Sequence, residues 1–309
     1  MVILDLPLPE PLAYAWVGAQ FFNPCTNYLL MERLTKVRFT NLDKVLYPLS
    51  SVRKLDIVKY YIKMAPRMLP FLEGRALVVT RYPDGVEAQG FYGKDAPQGT
   101  PDWVRLFHTY SEAAGRELDY IVCDDLDTLM WLANLAALEL HIPLARIDKP
   151  DNPDIILFDL DPQPPTGMPE AVRIARLVRE RLKERGLTSW VKTSGKRGLH
   201  VVAPLPKKDA FNETRAYAHK IGVELAKETG LVSSEKAQKK PGTIYIDYPQ
   251  NSHGRTMVCP YSLRATPMAT VSTPLSWDEL DEIDPGRLRI DSVPERADPW
   301  SGFWRLNSV

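Results

Sequence analysis

Asp159 and Asp161 stand one residue apart at the end of an apolar run, Ile155-Ile156-Leu157-Phe158-Asp159-Leu160-Asp161-Pro162. On a β-strand alternate side chains share a face, so the two carboxylates point one way while Phe158 and Leu160 turn into packing. Like charges that close repel one another unless a cation lies between them. Hard oxygen donors suit a divalent ion, Mg²⁺ or Mn²⁺ before others, which points to phosphoryl or nucleotidyl transfer.

Asp247, in Ile244-Tyr245-Ile246-Asp247-Tyr248, is the candidate third carboxylate. Strand alternation sets Ile244, Ile246 and Tyr248 on one face and Asp247 on the other. Three carboxylates complete a two-metal site for in-line displacement, with the ions roughly 3.5–4 Å apart. Taken alone, Asp247 is more commonly a solvated strand residue. The stretch Thr193-Ser194-Gly195-Lys196-Arg197-Gly198-Leu199-His200 holds two glycines that let the backbone approach a ligand closely. Its amides and basic side chains can cradle a triphosphate, and a plain basic hairpin turn is the competing reading. His200 opens a strand from which its imidazole can donate to a phosphate oxygen. His141 falls at the C-terminal end of an expected apolar helix, where a histidine more commonly partners the helix dipole than a ligand. A basic set completes the inventory: Lys44, Lys54, Arg81, Lys94, Lys240, Arg255 and Arg264, with Phe91 and Tyr92 beside Lys94. Aromatics interleaved with basic groups suit base stacking next to phosphate contacts, although scattered lysines are usually solvated surface.

Elements must hold these groups in place. Spacings of three and four predict a helix over residues 55–72, and a strand is expected over 76–80 before an Arg81-Tyr82-Pro83-Asp84-Gly85 turn. A strand over 120–123 leads through Asp124 or Asp125, a good N-cap, into an apolar helix reaching Leu140. The carboxylate strand follows over 155–161, then helices near 169–185 and 211–228. Short strands at 190–193 and 199–203 flank the glycine turn, and others are expected near 243–248 and 256–259. Strands and helices mix without strict alternation, which gives an α+β fold. Residues 1–33, rich in proline and aromatics, read as an N-terminal extension to a domain covering 34–309.

The composition bounds the partners. The chain of 309 residues is 44% hydrophobic and 25% charged, ordinary for a soluble globular protein. Its net charge of +0 removes only diffuse attraction to nucleic acid, because a local basic groove can be balanced by acidic surface elsewhere. Three scattered cysteines, Cys25, Cys123 and Cys259, form no CxxC pair and favour a reducing cytoplasm over a disulfide or zinc framework. Asp5 and Glu10 among prolines do not make a signal peptide. The apolar stretch 129–140 is broken by Asn134 and Glu139, so it reads as a buried helix and no membrane partner is expected.

Seven strings in one order then become recognisable: DKVLYP, RYPDGV, LANLAALELH, FDLDP, KTSGKRGLH, IDYPQN and PYSLRA. Over residues 40–280 the chain closely resembles the polymerase domain of bacterial ATP-dependent DNA ligase D, in the archaeo-eukaryotic primase superfamily, which serves non-homologous end joining. The resemblance implies a primase-like catalytic core of mixed and antiparallel sheets flanked by helices. It implies that Asp159, Asp161 and Asp247 hold two catalytic ions, Mn²⁺ or Mg²⁺. Ser194, Arg197, His200 and Arg264 are implied to contact the triphosphate of an incoming NTP or dNTP, with His141 near its sugar and phosphates and Gln250 in the same neighbourhood. Lys44 and Lys54 are implied to bind the 5′-phosphate at a gap or double-strand break, and Phe91 and Tyr92 to stack near the template. Arg81, Lys94, Lys240 and Arg255 join the implied DNA contacts. A ribonucleotide preference, a Ku-like end-binding protein, a separate ligase and a place at the nucleoid follow as further expectations.

The sequence departs from the family at Arg197, where lysine is usual, at Thr80, where a basic residue is common, and at Lys239-Lys240-Pro241, where arginine is common. Residues 1–33 have no counterpart in the family pattern. The ligase and phosphoesterase modules of multidomain relatives are not in this sequence, which reads as a stand-alone protein or an excised module. Two rivals compete with a polymerase. A haloacid-dehalogenase-type phosphatase would use Asp159 as nucleophile, but Pro162 and Gln163 stand where that signature continues with small residues and Thr or Val. A non-catalytic end-bridging protein would use the phosphate pocket alone, and the three-Asp set argues against it.

Overall fold

The computed structural model describes residues 36–112, 114–205, 209–235 and 240–305, so the extension expected over 1–33 lies outside the described residues. In chain order the first half contains β1 (Val45–Tyr47), β2 (Val52–Arg53), α1 (Lys54–Leu72), β3 (Val78–Arg81), β4 (Phe91–Gly93), β5 (Leu106–Ser111), β6 (Arg116–Ile121), α2 (Leu126–Asn134) and β7 (Ala137–Pro143). The second half contains β8 (Ile155–Pro162), α3 (Met168–Glu184), β9 (Trp190–Thr193), β10 (Leu199–Pro204), α4 (Phe211–Thr229), β11 (Val232–Ser233), β12 (Ile244–Ile246), β13 (Thr256–Val258) and β14 (Pro274–Leu275).

Two sheets carry the fold. A six-stranded sheet runs β11-β12-β8-β10-β9-β14, antiparallel except for the β11–β12 pair. A four-stranded antiparallel sheet runs β13-β7-β3-β4, and β1–β2 and β5–β6 are separate hairpins. Helices α3 and α4 cover one face of the larger sheet, packing on β8 and on each other. This explains the burial along β8. Ile155 to Phe158 are buried without a period, because a strand covered on both faces has none. From Asp159 alternation sets in, with Leu160 buried and the two carboxylates partly exposed, because the face opposite the helices opens there into a cleft.

Local chemistry sets the helix starts. The Asp125 carboxylate accepts from the Thr128 amide at 2.8 Å and caps α2. At α1, α3 and α4 an acid three residues into the helix, Asp56, Glu170 or Glu213, accepts from the amide before it at 2.8 Å. Gly230, in the left-handed region at φ 65°, ends α4.

The expected helix through Leu140 is corrected. Helix α2 stops at Asn134, Ala136 turns the chain at φ 55°, and 137–143 form strand β7. Strand β7 lies between β3 and β13, and its first four residues are buried. An apolar helix followed by an apolar strand leaves one continuous apolar run with no period to mark the join. His141 is therefore a strand residue, paired with Val78 and Val258, and not a partner of a helix dipole. The strand expected near 243–248 is also shorter, ending at Ile246, and Tyr248–Asn251 form a 3₁₀ turn.

Candidate active site

Neighbouring strands carry the candidate groups in rows across the large sheet. Asp159 on β8 is opposite His200 on β10, and His200 is opposite Lys192 on β9. On the other side of β8, Asp161 is opposite Tyr245 on β12, and the Asp247 amide donates to the Asp159 carbonyl at 3.1 Å. Directly opposed residues share a face, so these side chains gather on the side away from α3 and α4.

Asp247 reaches this row by a route that strand alternation does not describe, because it stands at the head of the 3₁₀ turn. The buried Asn251 fixes that turn. Its side-chain oxygen accepts from the Leu157 amide at 2.9 Å and its nitrogen donates to the Leu157 carbonyl at 2.7 Å, so one amide side chain continues the sheet where β12 has ended. The Tyr245 hydroxyl and the Gln250 amide each lie 3.4 Å from an Asp247 oxygen.

The three carboxylates line a cleft of about 300 Å³. His141, Ser194, Arg197, His200, Gln250 and Arg264 line the same cleft, so every candidate for the nucleotide is brought together with every candidate for metal. Burial, then the charges of Asp247 and Asp161, push the Asp159 pKa up to about 7. That is the response of a carboxyl short of positive charge, and the hard oxygen donors of three carboxylates fit a divalent cation. Among the described residues no group of three His, Cys, Asp or Glu side chains is set as a ready ligand group for a metal ion.

The glycine turn, which joins β9 to β10, lines the cleft beside β8. The Ser194 hydroxyl accepts from the amides of Lys196 and Gly198, at 3.2 and 3.1 Å, and so folds the turn on itself. Two of the amides expected to cradle phosphate are thus already used, and Ser194 keeps a proton to donate. Gly195, at φ 73°, lets Arg264 pass: a Cβ there would lie 2.5 Å from the Arg264 Cγ. At Gly198 a Cβ would lie 2.3 Å from the Leu160 carbonyl oxygen. Both glycines are therefore required by protein packing, whatever the ligand.

Arg264 projects from a clasp, residues 261–273, that ties the two sheets together. The Leu140 amide on β7 donates to the Ser262 hydroxyl at 2.8 Å, and the Thr193 amide on β9 donates to the Thr273 carbonyl at 2.9 Å. Buried Glu139 on β7 accepts from Arg264 Nε and from the Ala265 amide, each at 3.1 Å. Lys196 Nζ and His141 Nε2 lie 3.7 and 3.4 Å from its two oxygens. Burial alone would raise the Glu139 pKa, but the His141 hydrogen bond, the charges of Arg264 and Lys196 and the Ala265 amide prevail and hold it at about 2. Burial keeps both His141 and His200 below the usual histidine range, so both imidazoles are neutral donors.

Two site residues escaped the sequence reading. Glu139 was visible as a charge inside an apolar run. Lys192 is fully buried, with its ammonium on the Ser272 hydroxyl at 2.6 Å, and burial, then the charge of Arg264, push its pKa down to about 7. The signal for Lys192 was a lysine on a strand that alternates with buried Val191 and Thr193.

The DNA candidates lie elsewhere, and none of them lines this cleft. Lys44 and Lys54 come together, the Lys54 amide donating to the Lys44 carbonyl at 2.9 Å. The Lys44 ammonium pairs with Asp84 at 2.9 Å, and the buried Lys54 ammonium donates to the Asn134 carbonyl, at the negative end of α2, at 2.8 Å. Phe91 and Tyr92, 55% and 62% exposed, lie on the edge strand β4, with Phe91 opposite Arg81. Lys94 follows them, half-buried; burial raises the Tyr92 pKa, against the opposing charge of the exposed Arg255. Lys240 is exposed at the start of the approach to β12.

Comparison with known proteins places this geometry in a family. Residues 53–304 match the family model of the LigD primase-polymerase domain. The chain is 35% identical to the bifunctional non-homologous end joining protein LigD of Bacillus subtilis, over 87% of this chain and 44% of that protein. It is 31% identical to the multifunctional LigD of Mycolicibacterium smegmatis, over 87% of this chain and 36% of the relative. The chain thus spans less than half the length of these curated relatives. A solved structure of the polymerase domain from Mycobacterium tuberculosis ligase D in complex with DNA superposes with a TM-score of 0.81 at 31% identity, covering 88% of this chain and 98% of that one. The α+β fold is that of this domain, and no helix among the described residues is long and apolar enough to cross a membrane. The chain belongs to the LigD primase-polymerase domain family, a family of metal-dependent nucleotidyltransferases.

Proposed function

We propose that this chain is a template-directed polymerase that adds nucleotides, ribonucleotides by preference, to primer 3′ ends at gaps and double-strand breaks. The observation that carries the proposal is the convergence of Asp159, Asp161 and Asp247 in one cleft with Arg264 and the glycine turn. Asp159, Asp161 and Asp247 hold a pair of divalent ions, Mn²⁺ or Mg²⁺. When bound, such ions supply Lewis-acid activation of a hydroxyl and neutralise charge on phosphate.

The remaining chemistry belongs to side chains. Arg264, kept in place by Glu139, and the exposed Arg197 present guanidinium donors to the triphosphate. The Ser194 hydroxyl and the neutral imidazole of His200 donate without adding charge, and His141 does the same nearer the sugar. Donors fixed beforehand favour the more negative phosphoryl oxygens of the transition state. Gln250, beside Asp247, borders the nucleotide. Lys44 and Lys54 read a 5′-phosphate on the downstream strand, while Phe91 and Tyr92 stack on the template, with Arg81, Lys94, Lys240 and Arg255 on its phosphates. The partners are gapped or broken DNA, NTP or dNTP, a Ku-like end-binding protein and a separate ligase, at the cytoplasmic nucleoid.

The test is extension of a 5′-phosphorylated gapped duplex with each nucleotide type and each metal. Extension by the wild-type chain and its loss in Asp159→Ala and Asp161→Ala are expected. Ordinary extension by either variant refutes the metal assignment, and no extension by the wild type leaves end bridging as the better account.

A further inference from the structure

Lys192 is a fully buried cation with no carboxylate in ion pair with it among the described residues; its ammonium rests on the Ser272 hydroxyl at 2.6 Å. Taking a charge out of water carries a large desolvation cost, so an apolar side chain of similar volume would be the cheaper occupant of this position. A position that keeps the charge anyway is a candidate for function.

Its placement supplies the function. In the row across the large sheet, Lys192 stands beside His200, which stands beside Asp159, so the ammonium lies behind the cleft wall. Two strand spacings, about 10 Å, separate Lys192 from Asp159 along the backbone. The Ser272 hydroxyl that holds the ammonium donates in turn to the Thr193 carbonyl at 2.8 Å, at the entry to the glycine turn. On the other side of that turn, the Thr270 hydroxyl donates to the Gly195 carbonyl at 2.5 Å, and the Arg264 amide donates to the Thr270 carbonyl at 2.8 Å. Lys192 thus anchors the segment that sets both the turn and Arg264.

We propose that Lys192 is a positioning residue for the nucleotide's triphosphate, holding the clasp against the glycine turn through Ser272 and placing an ammonium behind His200. The proposal rests on the reading of the cleft as the nucleotide site. Because the charge is inside the protein, its field reaches the cleft through a medium of low dielectric, and removing it weakens binding of a polyanion by about tenfold.

The experiment measures the Kd of the full chain for a non-hydrolysable ribonucleoside triphosphate with Mn²⁺ and no DNA, alongside melting temperature and steady-state extension. In Lys192→Met we expect Kd and KM for nucleotide to rise about tenfold. We expect kcat at saturating nucleotide to stay within severalfold of wild type and the melting temperature to be unchanged or higher. Ser272→Ala, which keeps the ammonium but frees it, is expected to raise Kd severalfold. A wild-type Kd in either variant overturns the proposal. So does a melting temperature of Lys192→Met lowered in step with its affinity, which marks a purely structural cation. Should Lys192→Met yield no folded protein, Ser272→Ala decides alone. Failure of the wild-type chain to bind nucleotide overturns instead the reading of the cleft, and this proposal with it.

Discussion

Glu139→Gln keeps the shape of the side chain and removes its charge, leaving Arg264 buried without its counter-ion. The carboxyl is held at about 2 against an ordinary 4.5, and its side chain is only 8% exposed, so solvent screens little of the effect. At about 1.4 kcal/mol for each tenfold change in proton affinity, this difference is worth about 3 kcal/mol, in line with the cost of breaking a buried pair. The sign follows from the direction of the shift. A carboxyl depressed in the folded state stabilises it fully above the unfolded pKa near 4.5, and that stability is lost as pH falls through about 2. Denaturant unfolding of wild type and variant should therefore differ by about 3 kcal/mol at pH 7 and by roughly half that or less at pH 3. Nucleotide affinity should fall with the stability, since Arg264 loses the group that aims it. A difference in unfolding free energy that stays the same from pH 7 to pH 3 refutes this account of Glu139.

Two further outcomes are expected. Gly198→Ala sets a methyl against the Leu160 carbonyl and forces β8 and β10 apart beside Asp159. It should cost about 1–3 kcal/mol by chemical denaturation and most of the extension activity, and a neutral effect on both would show that the turn has slack. Alanine at both Lys44 and Lys54 should erase the preference for 5′-phosphorylated over unphosphorylated gaps in a competition assay, and an unchanged preference removes them from phosphate recognition.

What was legible in the sequence was whatever repeats along a single element. The Asp159–Asp161 pair needed only the two-residue period of a strand, and α1, α3 and α4 needed only the helical one. What was hidden depends on pairing between distant segments. Glu139 reads as an interruption of an apolar run until Arg264, 125 residues away, is placed against it. Lys192 has no role legible along its own strand until β10 brings His200 beside it and Ser272 covers it. Resemblance assigns Asp247 to the site, but the turn that delivers it is set by Asn251 bonding to Leu157, a contact no local pattern announces. Sequence pattern sets His141 on the wrong element because helix α2 and strand β7 are equally apolar, with only Leu135 and the left-handed Ala136 between them.

The clasp has a consequence for anyone reshaping this pocket. Since one short segment is bonded to a strand of each sheet and also carries Arg264, neither wall can be recut without disturbing the other. Enlarging the pocket for a bulkier sugar or base would call for grafting residues 261–273 as a unit together with their footholds at Leu140 and Thr193, rather than trimming side chains one at a time.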